Sequence, residues 1–124
     1  MKIFLAEDNE DNYLVVKSNL RKLETPVELI WVRDGEEAIN VLQSQSDIAI
    51  FLVDVEMPKI GGLELTLWIR NQERFDNAPI VAITASVFAE MKKRYLEEGM
   101  DFILEKPFSR QEFLTMLEKV AGIV

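Results

Sequence analysis

Five short apolar runs, at residues 2–6, 27–32, 48–53, 80–83 and 102–104, alternate along the chain with longer amphipathic stretches. Runs of this length, rich in β-branched residues, read as strands. The stretches between them carry apolar residues at helical spacing. Tyr13, Val16, Leu20 and Leu23 share one face of the first helix, Ala38, Val41 and Leu42 mark the second, and Leu65, Trp68 and Ile69 the third. Phe88, Met91 and Tyr95 mark the fourth, and Phe113, Met116, Leu117 and Val120 the fifth. Strict strand–helix alternation predicts an α/β fold with a parallel sheet covered by helices on both faces. Right-handed crossovers restrict it to a doubly wound sheet, for which the expected strand order is 2-1-3-4-5.

Local signals agree with these boundaries. Asp34-Gly35-Glu36-Glu37 and Ser109-Arg110-Gln111-Glu112 both place an acid three residues after a capping side chain, as at a helix N-terminus. Gly99 suits a helix C-terminus, and Pro26 and Pro79 suit the approaches to strands. Trp31 belongs to the second strand, with no further role assigned.

With 124 residues the chain is the size of one domain, spanning 1–124. Its 48% hydrophobic content supports a core without staples. There is no cysteine, hence no disulfide and no thiol chemistry, which suits a reducing cytoplasm. There is no histidine either, which removes the commonest general base and transition-metal ligand. The apolar start stops at Glu7-Asp8, too early for an export signal, and no run approaches the roughly 20 residues of a membrane span. Fourteen basic against 22 acidic residues give a net charge of −8, the wrong sign for direct nucleic-acid binding. The expectation is a cytoplasmic protein without membrane insertion.

In a doubly wound sheet, ligands bind beyond the carboxyl ends of the strands, so the residues just after each strand carry the chemistry. These are Glu7-Asp8, Asp54 with Glu56 two residues on, Thr84, and Lys106-Pro107. Crowded carboxylates repel, and either raise each other's pKa or recruit a cation. An all-oxygen set favours Mg²⁺, with Mn²⁺ possible, over zinc. A phosphoryl group needs its oxygens neutralised while a nucleophile lines up opposite the leaving group. The cation, Lys106 and the Thr84 hydroxyl can each take one oxygen, leaving Asp54 as the nucleophile for an acyl phosphate.

Glu7-Asp8, Asp54-Val55-Glu56-Met57-Pro58, Gly61-Gly62, Thr84-Ala85 and Lys106-Pro107-Phe108, in this order at the strand ends, resemble the receiver domain of two-component response regulators over essentially the whole chain. The resemblance implies that Asp54 is the phosphoacceptor, and that Glu7, Asp8, Asp54 and the main-chain carbonyl of Glu56 hold Mg²⁺. It implies that Thr84 and Lys106 contact the phosphoryl oxygens and that the Lys106–Pro107 bond is cis. The implied phosphodonor is a sensor histidine kinase or a histidine phosphotransfer protein. Three positions depart from the usual pattern. Glu7 stands where Asp is more frequent, Glu56 adds a carboxylate at the mouth of the site, and Ile103 replaces a switching Tyr or Phe.

The same resemblance sets expectations for signalling. Thr84 is the expected hinge, drawing the loop to Ser86 toward a phosphoryl group, with room left by Ala85. Phe88, Met91, Tyr95 and Ile103 would then offer apolar contacts to a downstream protein or a second copy; alternatively, they fill the core. Three other functions compete with this one. A flavin-phosphate carrier needs a Ser, Thr and Gly-rich loop after the first strand, whereas Glu7-Asp8-Asn9-Glu10-Asp11 repels phosphate. An aspartyl phosphohydrolase places its nucleophile in an Asp-x-Asp after the first strand, not the third. The remaining alternative is a degenerate receiver that docks partners independently of phosphorylation.

Overall fold

A computed structural model describes residues 1–85 and 88–124. The strands are β1 (Lys2–Ala6), β2 (Glu28–Val32), β3 (Ile48–Asp54), β4 (Ile80–Thr84) and β5 (Phe102–Glu105). The helices are α1 (Glu10–Leu20), α2 (Gly35–Leu42), α3 (Gly62–Arg70), α4 (Ala89–Glu97) and α5 (Arg110–Ala121). All strand pairs are parallel and the order is β2-β1-β3-β4-β5. The expected doubly wound architecture and strand order both hold.

Alternation along each strand divides the interior into two layers. Phe4, Phe51, Val53, Ile80 and Ala82 pack with Leu42 of α2, Leu65 and Ile69 of α3 and Tyr95 of α4. Ile3, Leu5, Ile50, Leu52, Val81 and Ile83 face the opposite way, onto Val16 and Leu20 of α1 and Phe113, Met116 and Leu117 of α5. Each fully buried Phe, Leu or Ile contributes about 1.5–3 kcal/mol. The site therefore rests on rigid ground.

Caps fix the helix starts. The Asp34 side chain accepts the Glu37 N–H, and Ser109 and Glu112 form a reciprocal capping box. Gly99, just past α4, has φ of +113°, a conformation that L side chains rarely adopt. One boundary differs from expectation. Leu23 lies beyond the end of α1 and packs on the α1/α5 layer from the following turn.

Register brings the strand ends together. Lys2 pairs with Ile48 but Ile3 pairs with Ile50, so β3 carries an irregularity around Ala49. Ala49 and Ile50 consequently both face the α1/α5 layer, and Ala6 pairs with Val53. The residues immediately after that pair are Glu7 and Asp54. Asp54 in turn pairs with Ile83, and Thr84 with Glu105, which leaves Lys106 at the same end.

Candidate functional site

Asp54 and Thr84 end their strands, and around them the ladder continues one step past β1, β3 and β5. The Glu7 N–H donates to the Val32 carbonyl at 3.0 Å, Val55 N–H to Ile83 at 3.0 Å, and Lys106 N–H to Thr84 at 2.8 Å. Glu7, Asp54 and Thr84 are buried polar residues, whereas Asp8 is exposed. Carboxylate oxygens of Glu7, Asp8 and Asp54 all lie within 4.8 Å of one another. Lys106 Nζ lies 3.2 Å from Glu7 Oε1 and 3.3 Å from Asp54 Oδ2. The Glu56 N–H donates to Asp54 Oδ1 at 3.0 Å, and the Asn9 N–H to Glu7 Oε2 at 3.2 Å.

Three carboxylates thus cluster where one ammonium pairs with two of them. Burial, followed by a hydrogen bond with Asp54 and that residue's charge, pushes Glu7 up to about 7, against the opposing pull of the Asn9 N–H and Lys106. Burial works against the charged form of Lys106, but the Asp54 and Glu7 carboxylates outweigh it and raise its pKa. Such a surplus of negative charge, built only from oxygen, suits a hard divalent cation of the Mg²⁺ class. The donor chemistry therefore fits the cation that the sequence implies.

The loop after β3 is shaped for Asp54. A Cβ on Gly62 would run into the Asp54 carbonyl and the Val55 Cα, so only glycine permits α3 to start this close. The Gly62 N–H donates to the Val55 carbonyl at 3.1 Å, and the Thr66 hydroxyl to the Gly62 carbonyl at 2.8 Å. The Lys106–Pro107 bond is cis. The Glu56 side chain is exposed, and its charge raises the pKa of Tyr95, after the larger effect of burial.

The residues expected to signal separate into two groups. Phe88 precedes α4 as its N-cap and is 70% exposed. Tyr95 is buried, and Met91 and Ile103 are half-buried against the same layer. In the described conformation, then, Tyr95 is not a surface contact. Positions 91 and 95 lie four apart on α4 and pack on the core, while Phe88, as N-cap, has extended backbone and so does not follow the helical spacing that its sequence position suggests. Thr84 closes β4, whereas Ser86 lies outside the described residues.

Three features of the site are not among the residues that the strand ends single out. Asn9 caps α1, accepting the Asn12 N–H at 3.1 Å, and its position just ahead of the helix could have shown it. Trp31 donates from Nε1 to the Glu7 carbonyl at 2.8 Å. Beside Glu7 and Lys106 opens a largely apolar cleft of about 380 Å³, walled in part by Val15, Val16, Ile83 and Phe108. Leu14 and Val15 on α1 are exposed next to it. Among the described residues, no helix is long and apolar enough to cross a membrane.

Residues 3–118 match the family model of the response regulator receiver domain. The chain is 34% identical over 112 residues to the autoinducer 2 sensor kinase/phosphatase LuxQ of Vibrio vulnificus, which covers 90% of this chain but only 13% of that protein. It is 27% identical over 120 residues to the polar-differentiation response regulator DivK of Brucella ovis, covering 97% of this chain and 95% of DivK. Among solved structures it resembles the receiver domain of the sensor histidine kinase PA1611 from Pseudomonas aeruginosa PAO1. The TM-score is 0.85 at 33% identity, covering 98% of this chain and 97% of the other. A magnesium ion is coordinated in the active site cleft of that domain.

Proposed function

The chain belongs to the response regulator receiver family of two-component signalling, and on that premise we propose that it accepts a phosphoryl group from a phosphohistidine onto Asp54. The observation that carries this reading is the position of the Asp54 carboxylate. It is buried at the end of the central strand, with one oxygen on the Glu56 N–H and the other facing Lys106. In the transfer, an Asp54 oxygen attacks phosphorus and forms a P–O bond as the P–N bond to the donor imidazole breaks. The product is an acyl phosphate and a free histidine. Lys106 follows the phosphoryl oxygens as their charge develops, and the hydroxyl of Thr84, the last residue of β4, takes another.

Glu7, Asp8, Asp54 and the main-chain carbonyl of Glu56 would hold Mg²⁺, or Mn²⁺ in its place. The cation supplies charge neutralisation for the transferring group. The departure at Glu7 has a counterpart in the structure: its longer side chain reaches both Lys106 and the Asn9 N–H, and so stays anchored in the floor of the site.

The donor is a sensor histidine kinase or a histidine phosphotransfer protein, reaching the site through the cleft beside Val15 and Phe108. Small phosphodonors serve in its place, and the acyl phosphate is hydrolysed by the domain itself. Residues 1–124 act as one receiver unit in the cytoplasm. Phosphorylation changes its affinity for a downstream protein or a second copy.

Incubation with phosphoramidate or acetyl phosphate, with and without Mg²⁺, followed by intact mass, tests this directly. One hydroxylamine-labile phosphoryl group is expected on the wild type with Mg²⁺, and none on Asp54→Asn. Equal labelling of that variant would remove Asp54 from the role. Failure to label the wild type would favour a docking module independent of phosphorylation.

A further inference from the structure

The edge strand β2 contributes no carboxylate to the site, yet its last two residues, Trp31 and Val32, and the residue that follows, Arg33, bind the backbone that carries two of the three. The Val32 carbonyl accepts the Glu7 N–H at 3.0 Å. The Trp31 indole N–H donates to the Glu7 carbonyl at 2.8 Å. The Arg33 guanidinium reaches the Asp8 carbonyl at 3.4 Å. Three successive peptide groups, from the Glu7 N–H to the Asp8 carbonyl, are therefore held from one side, by the end of β2 and the residue after it.

The indole is itself held. Tyr13 of α1 stacks on it with ring centroids 3.8 Å apart and planes within 7°. The Arg33 guanidinium lies 5.0 Å from its centroid, and Lys17 sits 5.8 Å from the Tyr13 ring. This row of two cations and two rings runs from α1 to the strand after Trp31. Stacked rings and cation–aromatic contacts of this kind add stabilisation beyond the area buried. A half-buried indole N–H needs some acceptor; the one it takes here is the carbonyl of the residue that carries a site carboxylate.

We propose that Trp31 is a positioning residue for the divalent-cation site: its indole N–H, steadied by Tyr13 and Arg33, fixes the Glu7 carbonyl and so pre-orients the Glu7 and Asp8 carboxylates. The inference rests on the receiver reading, since it presupposes that these carboxylates hold a cation. Groups that orient metal ligands without touching the metal typically change affinity about 10- to 100-fold when removed. Trp31 stands one bond network behind Glu7, at the lower end of that range.

The test measures Mg²⁺ affinity by amide-shift titration of the whole chain, with no phosphodonor present. Trp31→Phe keeps a smaller ring for Tyr13 to stack on and deletes the donor; its dissociation constant should rise about tenfold. The metal-free melting curve should stay close to that of the wild type. The second probe replaces Trp31 by 3-benzothienylalanine in a Trp68→Phe background, exchanging the indole N–H for sulfur at nearly unchanged shape. It should show the same loss of affinity relative to Trp68→Phe alone, and it decides the matter if Trp31→Phe does not fold. Unchanged affinity in the benzothienyl protein would overturn the positioning role and leave the receiver reading intact. A wild type that binds no Mg²⁺ at millimolar concentration would instead overturn the cation site itself, and this inference with it.

Discussion

Glu7 and Lys106, 99 residues apart along the chain, form a 3.2 Å ion pair in the floor of the site, and the same ammonium lies 3.3 Å from Asp54. One cation thus serves two buried carboxylates, and it cannot fully satisfy both. Burial chiefly pushes Glu7 up to about 7, so its carboxyl keeps a proton well above the ordinary range and its pair with Lys106 becomes fully ionic only as pH rises past that value.

The metal-free protein should therefore lose stability as pH rises. The unfolded chain releases the Glu7 proton near the ordinary 4.5, and the folded chain near 7, so the folded state binds more protons in between. The contribution is complete below 4.5 and is lost as pH climbs through about 7. Glu7→Gln should flatten this slope and be the more stable protein at pH 8. Denaturant midpoints at pH 5 and pH 8, both with a chelator, measure it. Parallel pH dependences in the two proteins would rule out Glu7 as the source.

Asp8→Ala should separate cation binding from folding. Its carboxylate is exposed yet lies within 4.8 Å of the other two, so little folding energy depends on it. Loss of one hard oxygen should weaken Mg²⁺ binding about tenfold or more. The metal-free melting temperature should barely move. Mg²⁺ titration and thermal denaturation of the same sample report both quantities, and an unaltered affinity would exclude Asp8 from the cation site.

Gly62→Ala should damage the site through the backbone. The added methyl meets the Asp54 carbonyl and the Val55 Cα, neither of which is the free end of a flexible chain. A cost of about 1–3 kcal/mol is expected, with slower labelling by phosphoramidate because Asp54 shifts. Urea denaturation and initial labelling rates check the two effects. A midpoint equal to the wild type would show that α3 can retreat at no cost.

Phe88 and Tyr95 should behave oppositely. Phe88→Ala removes an exposed ring and should change stability by no more than about 0.5 kcal/mol. Tyr95→Ala empties a buried position and should cost about 3–5 kcal/mol. With beryllofluoride standing in for the phosphoryl group, amide shifts should extend beyond the Asp54 loop to Phe88, Met91 and Ile103. Shifts confined to the loops around Asp54 would deny this face a signalling role.

The alternation of short apolar runs with helical stripes was sufficient to determine the fold class, because burial on both faces of a parallel sheet leaves few ways to arrange five such units. The caps at Asp34 and Ser109 were equally legible, since each depends on side chains within four residues. The identity of the polar residues after each strand named the chemistry, as Glu7, Asp8, Asp54, Thr84 and Lys106 have no core to fill. Other features depend on partners remote in sequence. The irregularity at Ala49 sets Ala6 beside Val53; pairing continued from Lys2 and Ile48 would have put Glu7 beside Val53 instead of Asp54. No periodicity reveals such a slip, because the apolar content of β3 reads the same in either register. The burial that raises Glu7, the indole bond from Trp31, and the division of Phe88 from Tyr95 likewise arise only when distant segments close on one another. Local sequence encodes propensity and residue chemistry, but distance, desolvation and charge balance belong to the packed chain.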